Sequence, residues 1–189
     1  MAARAHQLRE MRRAQNHAIV MPRTSSETRP YLPAGLISAS STVSSEAFSI
    51  LDAPLWQLAV LVSRLHLLWI STVCGQLKTD FRYSNVLGWN TFPLPTLTER
   101  NKADLTQCAE DVLLARESHF PATIGDLYNP DTMPDNVRHA HARNDEVLER
   151  IYIGRRFRND TERLEKLFEL YTRMTVEQSR KPWKARMKT

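Results

Sequence analysis

Residues 73–95 read VCGQLKTDFRYSNVLGWNTFPLP, and this stretch joins a strongly apolar segment to a helical C-terminal region. Between residues 76 and 84 charged and aromatic side chains alternate, which predicts an extended strand. On such a strand Lys78, Asp80 and Arg82 share one face, while the aromatic side chains between them occupy the other. These three residue types can donate to guanine O6 and N7 and accept from cytosine N4 in a DNA major groove. A solvated strand face with a surface ion pair explains the same pattern from residue types alone.

The segment before this strand predicts one long buried helix. Asp52 has the residue type of an N-cap, Pro54 fits the first helical turn, and Gly75 can end the helix. Apolar residues recur at helical spacing and leave little of the circumference polar, so the helix is expected to brace the strand from the core. His66 interrupts the apolar surface and is predicted to be a hydrogen-bonded core histidine.

The segment after the strand predicts a change of domain. Residues 86–89 predict a second short strand, and the prolines within residues 92–95 predict an extended linker. Helices are expected from Thr98 to about residue 118, at 124–128, at about 134–152, and from a cap at Asp160; the three long ones would form a bundle. The predicted fold is α+β and mostly helical. Residues 1–95 are predicted to form a partial β-containing domain with the long buried helix. Residues 96–178 are predicted to form a C-terminal helical domain, and residues 179–189 a basic tail.

Charge is distributed unevenly along this chain of 189 residues, whose net charge is +5. Residues 1–30 carry six arginines and two acids, and residues 2–13 predict a basic helix. Residues 96–178 hold twelve basic and sixteen acidic side chains, and residues 179–189 hold five basic side chains and no acid. The basic N-terminal segment at residues 1–30 therefore suits contact with phosphates, whereas the acidic helical block is expected to pack on protein.

Cysteine usage and hydropathy exclude several classes of protein. Cys74 and Cys108 are far apart and lack metal-ligand spacing, so we expect two buried free thiols and no zinc site or disulfide framework. Arg64 and His66 lie within the one long apolar stretch and disfavour a membrane-spanning helix there. We therefore expect a cytoplasmic protein that has no membrane partner and no metal ion.

Several motifs resemble those of the MmeI-type restriction-modification family. GQLKTDFRYSNVLGWNTFPLP resembles the family's GRLKSDYRYS followed by YNTFPWP. RPYLPAGLI at residues 29–37 resembles RRYIPIGFL, and LAVLVSRLHLLWISTVCG at residues 58–75 resembles FGVLTSRMHMAWVRAVCG. Residues 113–141 resemble the helical C-terminal region with its LYDP..MP..L..AH pattern. The motifs occur in the family's order over residues 4–174.

This resemblance implies double-stranded DNA as the partner. In the family, the positions that match Lys78 and Asp80 are a co-varying pair that specifies one base pair, and the Lys/Asp combination goes with guanine. Lys78 would donate to guanine, Asp80 would accept from the paired cytosine, and Arg82 would read or brace a neighbouring position. Further candidates for DNA contact are Arg29, Tyr31, Arg64, Tyr83 and Ser84. Arg64 would contact a phosphate or orient Asp80. For Arg29 and Tyr31 the alternative is equally good: Arg29 is an ordinary surface arginine and Tyr31 is a half-buried tyrosine, and neither contacts DNA.

Members of the family also carry an endonuclease domain and an adenine methyltransferase domain that uses S-adenosylmethionine. This sequence has no Asn-Pro-Pro-aromatic motif for a flipped adenine, no glycine-rich loop for the methyl donor and no nuclease motif. We therefore predict no catalytic residues and no cofactor in this chain, with S-adenosylmethionine implied only for the missing methyltransferase domain. The expected function is sequence-specific DNA recognition without the catalytic domains. The alternatives are a protein-interaction subunit that docks on a separate methyltransferase, and a remnant of a disrupted gene.

Overall fold

The computed structural model describes residues 13–180, with side chains described as far as residue 177. The basic helix predicted at residues 2–13 lies outside this range except for Arg13, and the basic tail predicted at 179–189 lies outside it except for residues 179 and 180, which end the last helix. None of the helices in the described part of the chain is long and apolar enough to span a bilayer.

The first half of the chain forms two small antiparallel sheets. The first places β1 (His17–Pro22) between β3 (Gly35–Ser38) and β4 (Ala47–Leu51). The second has the order β2 (Thr24–Ser25), β6 (Asp80–Arg82) and β5 (Gly75–Leu77). Only Arg23 separates β1 from β2, so the two sheets are directly connected.

The single helix predicted over residues 52–75 is wrong, because the structure has two helices there. They are α1 (Trp56–Leu61) and α2 (Arg64–Val73). Ser63 adopts an extended conformation between them, with φ −84° and ψ 156°, and its hydroxyl accepts a hydrogen bond from the His66 backbone N–H. This N-cap starts a new helix inside a continuous apolar run, where hydrophobic spacing alone gives no sign of a break.

Asp52 is not the predicted N-cap. It has a positive φ of 50°, and its carboxylate accepts hydrogen bonds of 2.7 Å from the backbone N–H groups of Gln15 and Asn16. Aspartate tolerates this left-handed conformation better than most residues. Asp52 therefore fixes the chain that enters β1, 36 residues earlier in the sequence, instead of starting a helix.

The helices of the second half are α3 (Glu99–Glu117), α4 (Ile124–Leu127), α5 (Asp135–Ile153) and α6 (Asp160–Arg180), close to the predicted positions. The cap predicted at Asp160 is wrong, because the Asn159 side chain accepts the hydrogen bond from the Glu162 backbone N–H and Asp160 is the first residue of α6. Thr98 caps α3 through a capping box with Asn101, as the sequence pattern indicates. Gly154 ends α5 with a φ of 76°, which glycine adopts without steric cost.

One hydrophobic core includes residues from both sides of the linker at residues 92–95. Its buried side chains come from α1, α2, α3, α5 and α6 and include Leu58, Leu61, Leu65, Leu105, Ala109, Leu148 and Leu167. The Trp69 ring of α2 contacts Phe168 and Tyr171 of α6, with centroid distances of 5.3 and 5.5 Å. Each fully buried leucine of this core contributes about 1.5–3 kcal/mol to folding. The predicted α+β, mostly helical fold is confirmed.

Candidate nucleic-acid interface

Strands β5 and β6 form a two-stranded hairpin at residues 75–82, which we call the recognition hairpin. Leu77 pairs with Asp80, so Lys78 and Thr79 alone form its loop. Lys78 has a φ of 58°. Two-residue hairpin loops require such a positive φ, which residues other than glycine rarely adopt. The prediction of one continuous strand is therefore wrong at Lys78, whose side chain extends from the tip of the hairpin.

The predicted alternation does hold along β6. Asp80 and Arg82 lie on one face of the strand, and Phe81 and Tyr83 lie on the other. Phe81 packs against the core, and Tyr83 is only 3% exposed. Lys78 and Arg82 are exposed, and Asp80 is half-buried. The hairpin thus has an inner aromatic face that attaches it to the core and an outer charged face.

The charged groups of the hairpin have no partners in the part of the chain that the structure describes. Within residues 13–177, the side chains of Lys78, Asp80 and Arg82 form no ion pair and no hydrogen bond. By contrast, Arg150 and Arg163 are each paired with a glutamate, at 2.6 and 2.5 Å. Among the described residues, the hairpin therefore lacks the surface ion pair that would explain its charges as an ordinary solvated strand face. Its donors and its acceptor are therefore available to a ligand.

His66 contacts the inner face of the hairpin from the core. It is fully buried, and its Nε2 shares a hydrogen bond of 3.1 Å with the Tyr83 hydroxyl. Its ring also contacts the edge of Phe92, with a centroid distance of 4.9 Å. Burial lowers the pKa of His66 to about 3, so the ring is neutral. The predicted core histidine is confirmed, although its Nδ1 is buried without a partner.

Residues 85–89 form a turn of π-helix, not the predicted second strand. Ser84 caps this turn, because its hydroxyl accepts a hydrogen bond from the backbone N–H of Leu87. The backbone of Gly88 packs so closely on α2 and β6 that an added Cβ would lie 3.2 Å from both Ile70 and Tyr83. The turn therefore locks the inner face of the hairpin against α2.

Arg64 makes an ion pair within the protein. Its Nη2 lies 2.5 Å from Asp160 Oδ2 at the start of α6. Its backbone N–H donates to Asp145 at 2.7 Å. The Arg64 guanidinium holds the pKa of Asp160 below its usual value. The suggestion that Arg64 orients Asp80 is wrong, because its carboxylate partner is Asp160.

Tyr31 and Arg29 occupy different environments. The Tyr31 hydroxyl donates to Asp145 at 3.0 Å, and its ring stacks on His141 with a centroid distance of 4.1 Å. Arg29 is half-buried in a turn after β2, where its backbone N–H donates to Ser26. DNA contact by Arg29, Tyr31, Arg64 and Ser84 remains a prediction, whereas Tyr83 faces the core, where it is 3% exposed and bonded to His66.

Arg23 is a cation next to the hairpin that the sequence analysis did not single out. Its backbone carbonyl accepts a hydrogen bond of 2.8 Å from the Tyr83 N–H. Its guanidinium lies over the Phe48 ring, 5.2 Å from the centroid. The short pairing of β2 with β6 joins residues almost sixty positions apart, and no local sequence pattern predicts it.

A buried polar network connects the sheets to α3 and α5. Arg116 donates to the Ala34 carbonyl at 2.7 Å and also to the Tyr128 hydroxyl. Tyr128 bonds His141 Nε2 at 2.5 Å, and His141 Nδ1 lies 3.2 Å from the Val62 carbonyl. The only indication of this network in the sequence is the presence of polar residues in the apolar stripe of α5. The network joins the two parts of the chain independently of the linker.

An apolar groove of about 830 Å³ lies between the first sheet and the end of α3. Its lining includes Val20, Leu36, Ile37, Leu113, Phe120 and Ile124. Phe120 is 86% exposed at its rim. The groove includes no residue of the recognition hairpin.

The described residues offer neither a metal cluster nor a loop for a methyl donor. Within residues 13–177, no group of three or more His, Cys, Asp or Glu side chains could hold a metal ion. The five glycines lie in β3, in β5, in the π-helical turn, in α4 and after α5, so they do not form one glycine-rich loop. The two cysteines are free thiols; Cys108 is buried and Cys74 is half-buried.

Comparison with known proteins places the chain in a family. Residues 1–96 match the MmeI target recognition domain and residues 97–178 match the MmeI C-terminal domain. DNA methyltransferase A of Bacillus subtilis (strain 168) is 42% identical over 167 residues, which cover 88% of this chain and 19% of that protein. The structure of the Type IIL restriction-modification enzyme MmeI in complex with DNA matches 88% of this chain and 22% of its own, with a TM-score of 0.83 and 29% identity. The chain thus spans about a fifth of the length of these relatives, and it belongs to the MmeI family of restriction-modification proteins.

Proposed function

We propose that this chain is the sequence-specific, double-stranded DNA recognition module of a restriction-modification methyltransferase. The observation that carries this proposal is the charged surface of the recognition hairpin, where Lys78 at the tip and Asp80 and Arg82 on the outer face have no partners among the described residues. The relative MmeI has a structure in complex with DNA, and its fold is similar to this one over 88% of this chain. A hairpin attached to the core through aromatic side chains has the rigidity that base discrimination requires.

Lys78 and Asp80 would read one G·C pair. From the tip of the hairpin, the Lys78 ammonium would donate to guanine O6 and N7, and the Asp80 carboxylate would accept from cytosine N4. Each such contact is worth about 1–3 kcal/mol of discrimination against the wrong base. Arg82 lies two residues further along β6, on the same face as Asp80. Arg82 would read or brace a position next to this pair.

Arginines beside the hairpin would contribute affinity without sequence preference. Arg23 and Arg29 lie on either side of β2, the strand that pairs with β6. Contacts from such cations to phosphates position the protein on the duplex and make binding weaken as salt is raised. Methyl transfer would need S-adenosylmethionine, which we assign to the methyltransferase part of the enzyme, outside this chain.

Selection from a pool of randomised duplexes tests this function. The chain should enrich one motif that contains a fixed G·C pair, and the exchange Lys78→Glu with Asp80→Arg should change the preference at that pair. The matched control is the same exchange at Lys102 and Asp104 of α3, which should leave the motif unchanged. Unselective binding that moderate salt abolishes would refute the proposal, because phosphate contacts alone would then explain it.

The apolar groove favours a second role, which is packing against the methyltransferase part of the enzyme. An exposed apolar cleft of this kind marks an interaction site, and the relatives are about four to five times as long as this chain. Calorimetry with the remaining part of DNA methyltransferase A, expressed as a separate polypeptide, should detect binding that Phe120→Ser weakens at least about tenfold. Val176→Ser on α6 is the control, because Val176 is 44% exposed and lies outside the groove. Absence of binding, or equal loss in both variants, would contradict this role.

A further inference from the structure

The register of the recognition hairpin adds an apolar residue to its charged face. Leu77 pairs directly with Asp80, and Gly75 pairs directly with Arg82. Directly opposed residues of antiparallel strands project to the same face, with Cβ atoms about 5 Å apart. The outer face therefore carries Leu77 beside the two charged side chains of β6, whereas Gly75 adds no side chain to it.

Leu77 has no packing role that explains its position. Its side chain is 53% exposed, and it does not belong to the hydrophobic core. A single exposed leucine on a protein surface is ordinary. Leu77 differs because the register places it next to Asp80, on the face of the hairpin whose charged groups have no partner among residues 13–177.

We propose that Leu77 contacts the C5 methyl group of a thymine next to the G·C pair read by Lys78 and Asp80. The thymine methyl is the one apolar group that bases present in the major groove, and apolar side chains recognise it. The separation of about 5 Å between opposed side chains exceeds one base step of about 3.4 Å, so Leu77 and Asp80 reach neighbouring base pairs. This inference rests on the proposed function, and it adds a position at which thymine is distinguished from cytosine.

The expected effect is small but measurable. Burial of one methyl group is worth about fourfold in affinity. Replacing thymine with uracil removes only this methyl group and leaves the hydrogen-bonding edges unchanged. The substitution therefore isolates the contact without changing the base pairing.

The experiment measures dissociation constants for the selected duplex and for duplexes in which each thymine is replaced in turn by uracil. The full chain should bind about fourfold more weakly when one thymine, adjacent to the recognised G·C pair, becomes uracil. Leu77→Ala should bind the two duplexes equally. The matched control, Leu87→Ala, removes a leucine that is 45% exposed on the π-helical turn and should retain the fourfold difference.

The outcomes separate this inference from the function on which it rests. Specific binding with equal affinity for thymine and uracil at every position overturns the Leu77 contact and leaves the recognition function intact. A fourfold difference that persists in Leu77→Ala also overturns the contact, as does a selected motif with no thymine next to the G·C pair. Failure of the wild-type chain to select any motif overturns both proposals.

Discussion

Replacing Gly88 with alanine tests how the recognition hairpin is attached to the core. An added Cβ would lie 3.2 Å from Ile70 Cγ2 and 3.2 Å from Tyr83 Cζ, closer than ordinary van der Waals contact. Neither neighbour can move freely, because Ile70 is 1% exposed and Tyr83 is 3% exposed and bonded to His66. The extra methyl group must therefore displace α2 or the inner face of the hairpin.

The expected destabilisation follows from two opposing effects. Overpacking a close-packed core by one methyl group costs about 1–3 kcal/mol. Replacing glycine with alanine at a compatible position stabilises by about 0.4–1 kcal/mol, because the unfolded chain has fewer conformations. The net prediction for Gly88→Ala is a loss of about 1–2 kcal/mol, which lowers the Tm of a domain of this size by roughly 2–8 °C.

Urea unfolding of the wild type, of Gly88→Ala and of Gly75→Ala would measure this effect. Gly75 lies in the same hairpin, and an added Cβ there meets no atom within 4 Å. Gly75→Ala should therefore be as stable as the wild type or slightly more stable. If Gly88→Ala and Gly75→Ala had the same free energy of unfolding, the close contact between the π-helical turn and the hairpin would not restrict position 88 to glycine.

Three changes test the buried polar groups. Tyr83→Phe leaves both nitrogens of the buried His66 without a partner and should cost about 1–3 kcal/mol in urea unfolding; no loss would mean that this hydrogen bond does not support the hairpin. Burial raises the pKa of Asp145 from 3.8 to about 7, so the native state keeps a proton that the unfolded chain releases. The wild type should therefore lose stability relative to Asp145→Asn as pH rises from about 4 to about 7, and an equal difference at both pH values would refute this. Glu149→Ala removes the fully buried partner of Arg163 and should cost about 3–5 kcal/mol; a loss below about 1 kcal/mol would contradict the buried ion pair.

The helices of the second half could be predicted from sequence because their signals are local. Thr98 and Asn101 form the capping box within four residues, and apolar residues in α3 and α5 recur at the helical period. The aromatic residues Phe81 and Tyr83 likewise indicated the inner face of β6 by simple alternation. In each case the residues that determine the conformation are close together in the sequence.

The features that sequence analysis missed depend on contacts between distant residues. Asp52 binds backbone groups 36 residues earlier instead of capping a helix. The break at Ser63 lies within an apolar run that reads as one helix, and the hairpin loop at Lys78 lacks the glycine or asparagine that usually indicates such a loop. The sequence identified Lys78 and Asp80 as candidates from residue type and resemblance, but only the fold places Leu77 beside Asp80.

The most direct test of the central claim is a competition measurement at a single base pair. The selected duplex is compared with one in which the recognised G·C pair is inverted to C·G, for the wild type and for Lys78→Glu with Asp80→Arg. The wild type should prefer G·C by at least about fivefold, as one good contact implies, and the exchanged pair should prefer C·G. If the wild type bound both duplexes equally, or if the exchange weakened binding to both without reversing the preference, Lys78 and Asp80 would not be the residues that read this base pair.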